Sequence, residues 1–130
     1  MIILTIRTDK PLAEIGLWRD TTRIAEVQWE AHRELADTIH TQIATMLAQS
    51  KLDWQSIQAV AVYKGPGSFT GLRIGISVAN ALALGLHIPI VGQTGPSWQQ
   101  QALEQLIAGK NESVILPEYG ADANITLPKK

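Results

Sequence analysis

A chain of 130 residues, 45% hydrophobic and 18% charged, with a formal net charge of -1, has the size of one core-bearing domain and lacks the basic excess that captures nucleic acid or an anionic membrane. It contains no cysteine, which excludes disulfides, thiolate metal sites and cysteine nucleophiles. MIILTIRTDK has neither a basic leader nor a small-residue cleavage site. The longest apolar region, Leu72 to Gly92, is broken by Arg73, Asn80, His87 and Pro89, so a soluble, cytoplasmic protein without a membrane span is expected.

Ile2 to Ile6 is nearly continuous and β-branched, as in a strand covered on both faces. Thr8 to Pro11 is a turn, Leu12 to Trp18 a second strand, and Arg23 to Trp29 a third, in which Ala25, Val27 and Trp29 alternate with Glu26 and Gln28. From Ala31 to about Gln49 the period lengthens, with Leu35, Ile39, Ile43, Met46 and Leu47 on one helical stripe. Glu30, Arg33, Glu34 and Asp37 stand at spacings that allow ion pairs on its exposed side. Gln58 to Tyr63 predicts a buried fourth strand, followed by a glycine-rich loop and a helix to about Gly85. Ile88 to Gln93 is a short fifth strand, and Pro96 to Ala108 a third helix, starting at Thr94 or Ser97. The order βββαβαβα, with right-handed crossovers, predicts an α/β fold on a mixed five-stranded sheet of ribonuclease-H-like arrangement. Residues 1–108 form the expected domain and 109–130 a tail lying on it.

The loop reads YKGPGSFTGLRIG, Tyr63 to Gly75. Pro66 and Gly67 suit the centre of a type II turn, and Ser68 suits a helix cap. Free N–H groups at Phe69, Thr70 and Gly71, with Lys64 and Arg73 as counter-charges, make Lys64, Gly65, Gly67, Ser68, Phe69, Thr70, Gly71 and Arg73 a candidate anion-binding loop. The Gly-Lys-Ser/Thr of a Walker loop is absent, and the third glycine of a dinucleotide fingerprint arrives one residue late. Arg73, one turn inside the helix, opposes the helix dipole and calls for a compensating partner.

Behind the loop, Gly71, Gly75, Ala79 and Ala83 recur every fourth residue, a small-residue stripe that lets a second helix approach closely. Leu72, Ile76, Val78, Leu82, Leu84 and Leu86 make the helix apolar nearly all round, so it is either deeply buried or faces a partner on one side. His32, His40 and His87 form no i, i+4 pair, which argues against a metal site. No histidine within the motif can serve Ser68 or Thr70 as a base. Arg7 and Tyr63-Lys64 end the strands on which a two-metal nuclease would place carboxylates, which argues against that chemistry.

GPGSFTGLRIG (Gly65 to Gly75), continuing through ISVANALALGLHIPIVG, resembles the TsaB (YeaZ) family, the non-catalytic partner of TsaD in making threonylcarbamoyladenosine at position 37 of tRNA. AHRELADTI (Ala31 to Ile39) is similar to the family's first-helix stretch, with His32 and Glu34 matching and Arg33 replacing a serine. Two departures stand out. Arg7-Thr8-Asp9 replaces the usual Asp-Thr-Ser, and the chain resembles a short form lacking the second of two ribonuclease-H-like halves of the actin-like ATPase superfamily. PEYGADANITLPKK is similar to the closing Pro-x-Tyr segment of longer members.

The resemblance implies an accessory subunit that is not an enzyme, has no cofactor or metal of its own, and binds and activates TsaD as a heterodimer. A TsaE-like ATPase is a further candidate partner, and tRNA is reached only indirectly. The expected interface comprises His32, Leu35, Ile39, Gly71, Leu72, Gly75, Ile76, Ala79 and Ala83. With one half only, the chain is not expected to close an ATP cleft. Two alternatives remain open: an anion- or nucleotide-binding protein using the Lys64-to-Arg73 loop, and a self-associating homodimeric module.

Overall fold

The computed structural model describes residues 1–67 and 69–118. Five strands and three helices follow in the order β1 (Ile2–Arg7), β2 (Leu12–Arg19), β3 (Thr22–Glu30), α1 (Leu35–Gln49), β4 (Ala59–Tyr63), α2 (Phe69–Leu86), β5 (Ile90–Gln93) and α3 (Trp98–Ile107). The sheet order is β3-β2-β1-β4-β5. β1, β2 and β3 pair antiparallel, while β4 and β5 join parallel to β1. Parallel neighbours need crossovers, which α2 and the longer path through α1 supply.

β1 and β4 are central and covered on both faces, which is why IILTI and AVAVY read as unbroken apolar runs. β3 is an edge strand, and only its alternate residues are partly covered. α1 packs on β2 and β3 and touches α2, α2 lies on β4 and β1, and α3 packs on β4 and β5. The core joins Leu4, Ile6, Ile15 and Leu17 of the sheet to Ile39, Ile43 and Leu47 of α1, Leu72, Ile76 and Ala79 of α2, and Ala102 and Leu106 of α3. No helix of the described residues is long and apolar enough to cross a membrane.

Several boundaries differ from the sequence expectation. His32–Glu34 is a 3-10 turn entered through His32 at φ 47, so the α-helix begins at Leu35 and not at Ala31. β5 begins at Ile90, because His87 takes φ 57 and the Ile88 N–H returns to the Ala83 carbonyl (3.0 Å), closing the end of α2. The expected type II turn is not formed. Its positive φ falls on Gly65 (φ 122) and not on Gly67, and the Gly65–Pro66 peptide is cis. Gly65 is pressed against the backbone of Glu118, where a Cβ would overlap the Glu118 carbonyl. The cap assigned to Ser68 lies outside the described residues, as does the tail from Tyr119 on.

Residues 111–118 contain neither helix nor strand, yet they run along β5 as a strap. Asn111 Oδ1 accepts from the Ile90 N–H (3.1 Å), Glu112 Oε1 accepts from the Gly92 N–H (2.8 Å), and the Glu112 N–H donates to the Ile90 carbonyl (2.9 Å). Asn80 of α2 then holds Ile115 by both backbone groups, at 3.0 and 2.9 Å. The strap ends where the Glu118 N–H donates to the Lys64 carbonyl (2.7 Å) and Lys64 Nζ faces the Glu118 carboxylate (3.3 Å).

Candidate interaction site around the glycine loop and the helix pair

The glycine loop is fastened at the C-terminal ends of β1 and β4. Tyr63 Oη donates to the Pro66 carbonyl (2.9 Å), and a Cβ on Gly67 would collide with Asp9. Asp9, itself buried, accepts two hydrogen bonds from Arg7, at 2.7 Å from Nε and 3.2 Å from Nη2. That guanidinium lies 4.0 Å above the Tyr63 ring centroid, and the ring meets Trp98 of α3 edge-on at 5.8 Å. Planar, bidentate and stacked, the arrangement suits arginine and not lysine. The Asp9 hydrogen bond raises the Arg7 pKa further, so a fixed cation fills the corner between the two strand ends.

Burial, and next the Asp9 charge, raise the Tyr63 phenol above its ordinary 10.0, with Arg7 opposing. A folded-state pKa above the unfolded one favours the neutral phenol. Its contribution to stability is therefore complete below pH 10.0 and is lost as pH rises through the folded value. Thermal melts taken from neutral pH to beyond 10.0 are expected to fall more steeply for the native chain than for Tyr63→Phe, which lacks the titrating group. Parallel curves would show that Tyr63 adds nothing to the alkaline loss.

Where the structure places the small-residue stripe changes its reading. Leu72, Ile76, Ala79 and Ala83 are all buried in the chain's own core, as are Leu35 and Ile39 of α1. Thr8 of the β1–β2 turn sits against Gly75 so closely that a Cβ there would overlap its Oγ1, which donates to the Gly71 carbonyl (2.6 Å). These residues do not form an outward contact surface. Small side chains at Gly71 and Gly75 admit the β1–β2 turn, and Ala79 and Ala83 continue the same buried line. Only His32 of the expected interface is exposed, with Gly71 half-buried.

The outward side of α2 carries a second small-residue ridge, Ser77, Ala81 and Gly85, flanked by the highly exposed Leu84 (78%) and backed by half-buried Ile74, Val78, Leu82 and Leu86. Nothing lies within 4 Å of a Cβ built on Gly85. Four-residue spacing alone gives either ridge. The signal that distinguishes them is the larger apolar set around Leu72 and Ile76, which marks the inner face.

Of the candidate anion loop, Lys64 is engaged by Glu118, Gly65 is closed off by the strap, and Gly67 is closed off by Asp9. Thr70 and Arg73 are exposed on the first turns of α2, Gly71 is half-buried, and Ser68 and the Phe69 side chain lie outside what is described. None of the pairs allowed among Glu30, Arg33, Glu34 and Asp37 forms among the described residues, whose side-chain ion pairs are Arg7–Asp9, Arg23–Glu26 and Lys64–Glu118.

The TsaD family model, described as tRNA N6-adenosine threonylcarbamoyltransferase, matches residues 27–94, just over half of the chain. A curated relative from Escherichia coli (strain K12), named "tRNA threonylcarbamoyladenosine biosynthesis protein TsaB", is 33% identical over 138 aligned residues, covering 95% of this chain and 57% of its own length. The solved structure titled "YeaZ from Pseudomonas aeruginosa" superposes with a TM-score of 0.68 at 23% identity, over 81% of this chain and 49% of that one. That of Thermus thermophilus RuvC with a Holliday junction substrate gives 0.54 at 13% identity, over 95% and 87%. At those identities both show the fold alone, and the fold is the ribonuclease-H-like one. The chain spans a little over half the length of the TsaB relatives from E. coli and from Buchnera aphidicola of Schizaphis graminum (57% and 56%). The segment that the family model covers runs from β3 through the glycine loop and the whole of α2, the same stretch whose glycines and alanines the packing of Thr8 and the sheet explains; by that match the chain belongs to the family of the TsaD model, and its similarity to curated TsaB proteins sets it beside the TsaB (YeaZ) members.

Proposed function

We propose that this protein serves tRNA threonylcarbamoyladenosine synthesis as a non-catalytic subunit, docking on a TsaD-like protein through the outward faces of α1 and α2. The observation that carries the reading is the outer ridge of α2, where Ser77, Ala81 and Gly85 flank Leu84 at 78% exposure. A partner helix can approach such a ridge closely, and Leu84 supplies an apolar anchor of the kind that is costly to leave in water. The interface so proposed replaces the buried stripe by its neighbour on the same helix. Reaction chemistry belongs to the partner, and tRNA contact is indirect. A TsaE-like ATPase joins through the assembled pair.

The test is Ala81→Arg, which sets a large charged group on the outer ridge without touching the core. Affinity for the TsaD-like partner is expected to fall by about tenfold or more, since one misplaced charge at a desolvated contact costs at least 1.4 kcal/mol or so, while the melting temperature stays unchanged. Unaltered affinity of the folded variant would sink the docking reading. In a reconstituted modification assay, product formation is expected to require both this chain and its partner, and loss of that dependence would remove the accessory role. Solution mass of the isolated chain shows whether the same ridge pairs two copies.

A further inference from the structure

Beside the proposed docking face, a cleft of about 360 Å³ opens between the β1–β2 turn, the 3-10 turn and the start of α2. Its walls are mostly apolar, with Pro11, Ala31, Leu35 and Ile74 among them, while Lys10, His32 and Arg33 bring three basic groups and no acidic one of the described residues lines it. Lys10, His32 and Arg33 are all exposed. Neither Lys10 nor Arg33 makes an ion pair among the described residues, although carboxylates at Glu34 and Asp37 are close in sequence to Arg33. His32 holds φ 47, a region non-glycine side chains seldom occupy.

We propose that this cleft seats a carboxylate side chain of the protein that docks on α1 and α2. The inference rests on the docking reading and extends it by naming the chemistry of one contact. Apolar walls with cations alongside fit a glutamate or aspartate, whose stem is greasy and whose head alone is charged. A phosphate needs donors around most of its surface, and half of the lining residues, Pro11, Ala31, Leu35, Gly71 and Ile74, offer none by their side chains. Ile74 belongs both to the cleft and to the half-buried row behind the outer ridge of α2, so the two surfaces are continuous. Basic groups placed at the margin of an apolar contact act on association rate and on partner choice.

Two measurements with the TsaD-like partner test it. Lys10→Glu combined with Arg33→Glu is expected to weaken the complex by about tenfold and to flatten its dependence on salt, with the melting temperature of the free chain unchanged. Carbodiimide treatment of the native complex is expected to join Lys10 Nζ to a partner carboxylate in an amide, with loss of water. Lys10→Arg should keep the affinity and lose that cross-link. If charge reversal leaves the affinity within about twofold of native while Ala81→Arg abolishes binding, docking stands and the carboxylate contact is wrong. If neither variant weakens binding, the docking reading fails and takes this inference with it. Micromolar binding of magnesium-ATP or inorganic phosphate to the isolated chain, abolished by the double reversal, would overturn the proposal in favour of a phosphate ligand.

Discussion

Gly75→Leu is expected to destabilise the free chain by roughly 3 kcal/mol or more, the upper end for overpacking a filled interior, and so to lower its melting temperature by about 10 °C. The reason is local. Even a single carbon at Gly75 would overlap Thr8 Oγ1, and Thr8 is held in place by its hydrogen bond to Gly71 and by its burial at 2% exposure. Neither side can yield without lifting the β1–β2 turn from α2. Gly75→Ala should therefore show the same effect at smaller size. Thr8→Ala should couple with it, the pair costing less than the sum because one change makes room for the other. A Gly75→Leu chain that melts like the native one and loses only its partner would mean that the stripe faces outward after all.

The second large effect is expected of Arg7→Ala, at roughly 3 kcal/mol, the low end for breaking a buried pair because the arginine keeps part of its side chain in water. The Asp9 carboxylate, with 6% of its side chain exposed, would lose both of its charged donors, and Tyr63 would lose the cation stacked on its ring. Removing both partners, Arg7→Ala with Asp9→Ala, should recover part of the loss, since the main penalty is an uncompensated charge and not the missing bond. Denaturant melts of the two single variants and the double one measure this. Additive losses would show that the two side chains act independently.

The strands and helices were legible wherever periodicity is strong, as in the apolar runs of β1 and β4 and the stripe of α1. Local backbone turns were less so. His32 enters α1 through a left-handed residue, which no apolar spacing encodes, and the turn at Gly65–Gly67 depends on Glu118 and Asp9, far away in sequence. The stripe of α2 was found correctly and its direction was not, because a chain's own β-turn and a foreign helix both ask for small residues. The strap offered quieter signals. Asn80 in the middle of an apolar helix needed a partner for its amide, and Gly92 inside a strand announced a close approach; both are answered by Ile115. At the β1 end, the position of Arg7 drew attention to a missing carboxylate, while Asp9, two residues on, returns to pair with it.

The strap also decides how many neighbours the sheet can accept. Open-ended stacking of copies requires two free margins on every molecule, one to receive and one to offer. Asn111 and Glu112 already satisfy the Ile90 and Gly92 donors along β5, which leaves β3 as the single unpaired margin among the described residues, and that margin carries Arg23, Glu26 and Glu30. A molecule with one margin can meet only one other by strand addition, giving a closed pair about a twofold axis and never a fibre. Eight residues without regular structure thus set an upper limit of two on edge-to-edge growth, by geometry and without any repulsive charge.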